Sequence, residues 1–147
     1  MAVTREQNPR FDALMLPAIE IFDIAGQPVL AAGEKVLQGT IAILDAGKVK
    51  MMPANGTPAA GSVLLGIAKD TYDNSAAGAV DVQKKMCFLR GEYWIPAKSG
   101  DEPGATLLMK TAYVGDNFTI QATNPGANSL TIKVVGIKSN ETKVLFP

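Results

Sequence analysis

The sequence contains no histidine and a single cysteine, Cys87. Histidine is the commonest general base and the commonest metal ligand, so its absence removes most routes to acid–base chemistry at neutral pH. Ser-His-Asp and Cys-His arrangements are impossible within the chain. Zinc sites built on Cys and His are excluded with them. A lone cysteine has no partner for an internal disulfide. Cys87 has only Lys85 on its own strand face to activate it, so it reads as a small strand residue. An excess of either charge is also missing: 14 basic and 14 acidic residues give a net charge of zero. Nucleic-acid binders carry a basic excess to neutralise phosphates, and the densest basic cluster here is Lys84-Lys85. No apolar run approaches the roughly 20 residues of a membrane span. The first ten residues are polar and carry no signal-peptide pattern, so synthesis in a cytoplasm is expected. Neither phosphate-binding glycine frame, G-x-x-x-x-G-K-[ST] or G-x-G-x-x-G, occurs. The expectation is therefore a non-enzymatic protein with no cofactor, no metal, no nucleic-acid partner and no membrane partner.

The composition that remains is globular. Apolar residues make up 47% and charged residues 19% of 147, enough for one domain with a core. From residue 19 onward, apolar or alternating segments of five to eight residues are separated by Gly, Pro, Asn and Asp. That punctuation predicts strands. Residues 40–44 and 48–52 flank Asp45-Ala46-Gly47 and predict a hairpin with a three-residue loop. Residues 62–68 (SVLLGIA) predict a central strand, with Gly66 marking a bulge or a close backbone approach. Residues 79–89 predict the longest strand, and Arg90-Gly91 a turn into residues 92–95. Further strands are expected at 118–123, 130–134 and 144–146, while 106–113 is ambiguous. Many short strands with no helical stripe point to an all-β barrel or sandwich. Residues 1–20 differ: charges surround isolated apolar residues, and Pro9 and Pro17 interrupt any long helix. They read as an extended N-terminal arm on a single β domain spanning 21–147. Fully extended, about 20 residues reach on the order of 65 Å, far enough to touch a neighbouring subunit.

Chemistry-bearing groups are sparse. Asp70/Asp73 and Asp101-Glu102 are acidic pairs in loops, where such residues ordinarily cap their own backbone. Two carboxylates are also the machinery of a glycosidase-type hydrolase. Tyr93-Trp94 offers an aromatic pair able to stack on a sugar, or to pack on the core or at an interface. Met15, Met51, Met52, Met86 and Met109 are adaptable packers. The arm and the loops at 53–61 and 96–105 are candidates to touch partners, and arms of this kind can add a strand to a sheet edge. The candidate contact residues are Val3, Arg5, Arg10, Phe11, Leu14 and Met15 on the arm, with Tyr93 and Trp94 on the body.

Residues 40–70, TIAILDAGKVKMMPANGTPAAGSVLLGIAKD, run strand, tight turn, strand, small-residue loop and apolar G-I-A strand. Together with the alternating segment 80–89 and the aromatic strand after Gly91, this resembles the head decoration, or cement, proteins of tailed bacteriophages, including the type found on phage lambda. The resemblance spans residues 33–96 and lies in pattern more than identity. It implies a small β-barrel or β-tulip-like body with an extended N-terminal arm. It implies placement in the virion on the outer capsid surface, bridging major capsid protein subunits and stabilising their lattice, with self-association as a homotrimer. This chain is longer than the lambda type, and its segment after Pro96 has no counterpart in the pattern, so a homodimer stays open. Alternatives that stay open are another virion β domain, of tail or baseplate, and a carbohydrate-binding module using Tyr93 and Trp94.

Overall fold

The structure, a computed structural model, describes residues 2–147; Met1 and the side chains of residues 12–14 lie outside that description. Twelve strands occur among the described residues: β1 Arg10–Ile21, β2 Val29–Leu30, β3 Lys35–Val36, β4 Ile41–Asp45, β5 Lys48–Met51, β6 Val63–Ala68, β7 Tyr72–Asp73, β8 Met86–Pro96, β9 Thr111–Val114, β10 Ile120–Gln121, β11 Thr131–Ile137 and β12 Glu141–Phe146. One 3-10 turn, Ala105–Leu107, is the helical content among them. No helix among the described residues is long and apolar enough to cross a membrane. The protein is all-β, as its punctuation predicts.

The large sheet runs β10-β9-β11-β12-β8-β6-β4-β5-β2, with β1 added on β8 and a separate β3-β7 pair. Among the described residues, β2 and β5 form the one parallel strand ladder, which makes this sheet mixed. Its two end strands, β10 and β2, have two residues each and do not meet, so no closed barrel forms among the described residues. A single parallel bridge, Ala97 to Ile120, returns β10 to the chain just past β8. One bridge is not a ladder, and it leaves that half curled rather than sealed.

Two cores flank a common wall. Ile41, Ile43, Ile67, Tyr93, Ile95, Ile132, Val144 and Phe146 fill the first. Leu30, Val36, Ala42, Val49, Leu65, Met86 and Phe88 fill the second. Successive residues of a strand point to opposite faces. β4 therefore serves both cores, Ile41 and Ile43 on one side and Ala42 on the other. β8 does the same, with Met86 and Phe88 in one core and Tyr93 and Ile95 in the other. β6 changes allegiance at a bulge, where its register against β4 shifts between Ala42 and Ile43. Gly66 sits there at φ +137°, and a Cβ would lie 2.3 Å from the Leu89 carbonyl oxygen. Both readings of that glycine, bulge and close approach, hold at once.

Several expectations change. The hairpin loop has two residues: Asp45 pairs with Lys48, leaving Ala46 (φ 48°) and Gly47 (φ 79°) as the turn. Two positive φ values mark the turn whose twist matches the strands. The longest strands are β1 and β8, and 79–89 is not one strand. Residues 79–85 make only an isolated bridge, Leu30 to Val82, and Val80 is 75% exposed. Alternation alone suggests a strand, but among the described residues no second ladder is there to hold it. Gly91 is no turn either. It lies inside β8 at φ 115°, opposite Phe146 of β12 and opposite Met15 of β1 beside a register shift in the β1 ladder.

Candidate interaction surface

The N-terminal residues lie along the body in an extended strap. The Val3 N–H donates to Asn117 Oδ1 at 2.9 Å, and Asn117 Nδ2 donates back to the Val3 carbonyl at 2.8 Å. Asn117 is 1% exposed, and its own carbonyl accepts the Ile41 N–H at 2.8 Å. A buried amide satisfied in this way behaves as a strand partner made from a side chain. Further on, the Gln7 N–H donates to the Gln38 carbonyl at 2.7 Å. Glu6 is hydrogen-bonded to the Thr71 hydroxyl, which accepts the Gln38 N–H at 3.0 Å. The strap passes so close to Gly39 (φ +80°) that a Cβ there would sit 1.8 Å from the Gln7 carbonyl oxygen. Only glycine fits. The chain then enters β1, which pairs with β8 from Arg10–Trp94 to Ile21–Met86 with two register shifts. Arg90 Nε ties down the Pro17 carbonyl at 2.8 Å, beside the second shift.

The predicted contact residues separate into distinct environments. Val3 is half-buried and held by Asn117; Arg5 is exposed, and its carbonyl accepts Gln7 Nε2 at 3.1 Å. Phe11 is 42% exposed and meets the Tyr93 ring edge-on at 5.8 Å, while Met15 is 65% exposed. The Leu14 side chain lies outside the described residues. Tyr93 is 3% exposed and packs between Phe11 and Phe146, so it belongs to the core and not to the surface. Burial pushes its hydroxyl pKa up.

Trp94, one residue on, faces outward as strand alternation requires. Three cations surround its ring: Lys138 at 4.4 Å, Arg10 at 5.3 Å and Lys143 at 5.4 Å from the centroid. Arg10 also reaches Glu141 at 3.9 Å, and Lys143 reaches Glu92 at 3.8 Å. Gly136 leaves room for the indole, since a Cβ would lie 3.2 Å from its Cη2. The result is a cross-strand array on β1, β8, β12 and the end of β11, held by cation–π contacts.

Elsewhere the surface carries large apolar side chains. Phe22 (45% exposed) and Ile24 (57%) follow β1, and Val80 (75%) and Val82 (39%) lie in the neighbouring loop. Gln83 Nε2 donates to the Ile24 carbonyl at 2.6 Å and joins the two stretches. Val63, Leu108 and Met109 are also exposed.

Several acidic groups are tied down by hydrogen bonds. The Ser75 hydroxyl and N–H hold Asp73 below the usual carboxylate range. The Ala32 N–H, aided by Lys48 at 3.0 Å, does the same for Asp81. Asp101 accepts the Thr123 hydroxyl at 2.5 Å, and Glu102 accepts the Gly100 N–H at 3.0 Å. Asp70 lines an open recess with Glu20, Lys69, Lys85 and Cys87. Burial raises the Cys87 thiol above its ordinary value. The Tyr72 hydroxyl accepts the Cys87 N–H at 2.7 Å and donates to its carbonyl at 3.1 Å, a clamp between β7 and β8. Among the described residues, no three Cys, Asp or Glu side chains converge as a metal site would require. Asn117 and Gly39, which fix the strap, carry no sequence signal of that role: Asp116-Asn117 reads as turn chemistry, and Gly39 as one turn glycine among many. Comparison with family models, with curated proteins and with solved structures returns no match.

Proposed function

We propose that this protein is a capsid decoration, or cement, protein. In this reading it binds the outer surface of a phage head as a homo-oligomer, a trimer or a dimer, and stabilises the major capsid protein lattice. It is made in the host cytoplasm and works in the virion. The observation that carries a binding role is the set of large apolar side chains left at the surface, Phe11, Met15, Phe22, Ile24, Val80 and Val82. They are displayed on a body where Asp73, Asp81, Asp101 and Glu102 already have hydrogen-bond partners. Exposed apolar groups of this kind favour association. The resemblance of residues 33–96 to phage cement proteins supplies the class of partner, and the curled half built on β8 to β12 suits a tulip-like body. Several weak contacts linked within one oligomer raise apparent affinity by roughly 10²–10⁴ through effective concentration. The test is co-sedimentation with expanded, undecorated capsids built from the major capsid protein of the same genome. Saturable pelleting with the capsids is expected; protein that stays in the supernatant at every concentration overturns the reading. Carbohydrate binding through Tyr93 and Trp94 is disfavoured, because Tyr93 is buried and three cations already surround the Trp94 ring.

A further inference from the structure

The strap and β1 fill a groove that is incomplete without them. Removing residues 2–21 would strip Asn117 of both Val3 contacts, at a side chain that is 1% exposed. It would take from β8 its β1 partners between Met86 and Trp94 and uncover the Tyr93 ring on its Phe11 side. An open strand edge and an uncovered aromatic ring both favour a new partner, while Asn117, buried with the strap in place, would turn to water. Yet every one of the contacts is remote in sequence: Val3 and Asn117 are 114 positions apart, and Arg90 and Pro17 are 73 apart. The segment reaches the groove only through residues 22–28, a connection exposed from Phe22 to Gly26. Two hydrogen bonds to the Ile24 carbonyl, from the Gln27 N–H at 3.3 Å and Gln83 Nε2 at 2.6 Å, fasten it.

We propose that this groove is also filled in trans, two copies exchanging residues 2–21 so that each completes the other's β8. The groove accepts the same sequence from either source, so the contacts in the exchanged form equal those in the monomer. What changes is the hinge. Phe22 and Ile24 are about half exposed when the connection folds back. Where two connections cross between copies, those side chains meet their own counterparts and are covered. Exchange of an identical element is a low-cost route to a symmetric dimer, and its extent rises with protein concentration. Orientation follows from register: β1 enters the partner antiparallel to β8, with Glu20 opposite Cys87. The proposal concerns self-association and holds whether or not the partner is a capsid.

That register provides the test. In the variant Glu20→Cys, directly opposed cross-strand residues fall within the Cα separation of about 4.4–6.8 Å that disulfides span. Diamide then oxidises the introduced thiol and that of Cys87 to one disulfide and takes up their two hydrogens. Protein refolded from denaturant over a range of concentrations is oxidised, run without reductant, and its linked peptides identified by mass. Exchange predicts that covalent dimers joining the introduced thiol of one copy to Cys87 of the other increase with refolding concentration. Oxidised monomer alone at every concentration overturns the proposal. So do dimers joined only through two introduced thiols or only through two copies of Cys87. A second variant is independent of cysteine chemistry. Deleting residues 24–26 removes the Ile24 carbonyl that both fastening hydrogen bonds use and shortens the connection, a change that favours exchange over folding back, so a dimer by light scattering is expected. A folded monomer with strap amides still protected contradicts exchange.

Discussion

Replacing Gly39 by alanine probes the strap against the body at a single carbon atom. Two costs combine. At φ +80°, any side chain raises the energy of the backbone by about 1 kcal/mol. The new Cβ would also lie 1.8 Å from the Gln7 carbonyl oxygen, a backbone atom with no rotamer to retreat into. The strap must lift, losing the Gln7–Gln38 hydrogen bond and its neighbours, for roughly 1–2 kcal/mol more. Gly47 supplies the control. Its φ is +79°, but an added Cβ there meets nothing within 4 Å. Gly47→Ala therefore carries the backbone cost alone, and the difference between the two variants isolates the strap contact. Native-state hydrogen exchange at the amides of Val3 and Gln7, measured against Val144 in the core, reads that difference. In Gly39→Ala, strap opening should rise by about 5- to 30-fold beyond any change at Val144. In Gly47→Ala, strap and core amides should shift together. If the two variants behave alike at Val3 and Gln7, the close approach at Gly39 does not hold the strap, and the account of the groove fails.

Other outcomes follow from single groups. Thr142 is fully buried, and its hydroxyl has no hydrogen-bond partner among the described residues; Thr142→Val should raise stability by about 1 kcal/mol, read as a higher urea midpoint at unchanged slope. Phe88 is 0% exposed at the β8 end of the second core, and Phe88→Ala should cost about 3–5 kcal/mol in the same assay. The Asp81 carboxyl is held below its ordinary range by the Ala32 N–H and Lys48. A depressed folded pKa means that its stabilisation is full above about pH 4 and is lost as pH falls through the lower folded value. Asp81→Asn should therefore flatten the acid side of a stability-against-pH curve and leave the alkaline side alone. Burial raises the Cys87 thiol, so alkylation at about pH 8 should be slower in the folded chain than in urea, where the thiol titrates normally.

What the sequence disclosed depended on how local each feature was. The hairpin at 45–48 and the bulge at Gly66 were legible because a turn and its glycine lie within a few residues of the strands they shape. The hairpin loop is one residue shorter than its sequence suggests, since Asp45 reads equally well as turn or strand end. β8 starts later than alternation suggests and runs through Gly91, because alternation in 79–85 mimics a strand while the real ladder depends on β12, some fifty residues on. Strand alternation separated Tyr93 from Trp94, but only the packing of Phe11 and Phe146 decides which of the two faces the core. Residues 1–20 read as an extended arm, whereas Arg10–Ile21 form the longest strand of the sheet. The arm's groove was not legible, because Asn117 and Gly39 owe their roles to a segment with which they share no local pattern.

The central claim is that this protein binds a capsid and reinforces it. Thermal melting of expanded, undecorated capsids, recorded with and without saturating protein, tests that most directly. A ligand that binds only the assembled lattice must raise its melting temperature, and the shift must grow with free protein. The account predicts a rise that saturates at a fixed ratio of this protein to capsid subunit. An unchanged capsid melting temperature at saturating protein would contradict it.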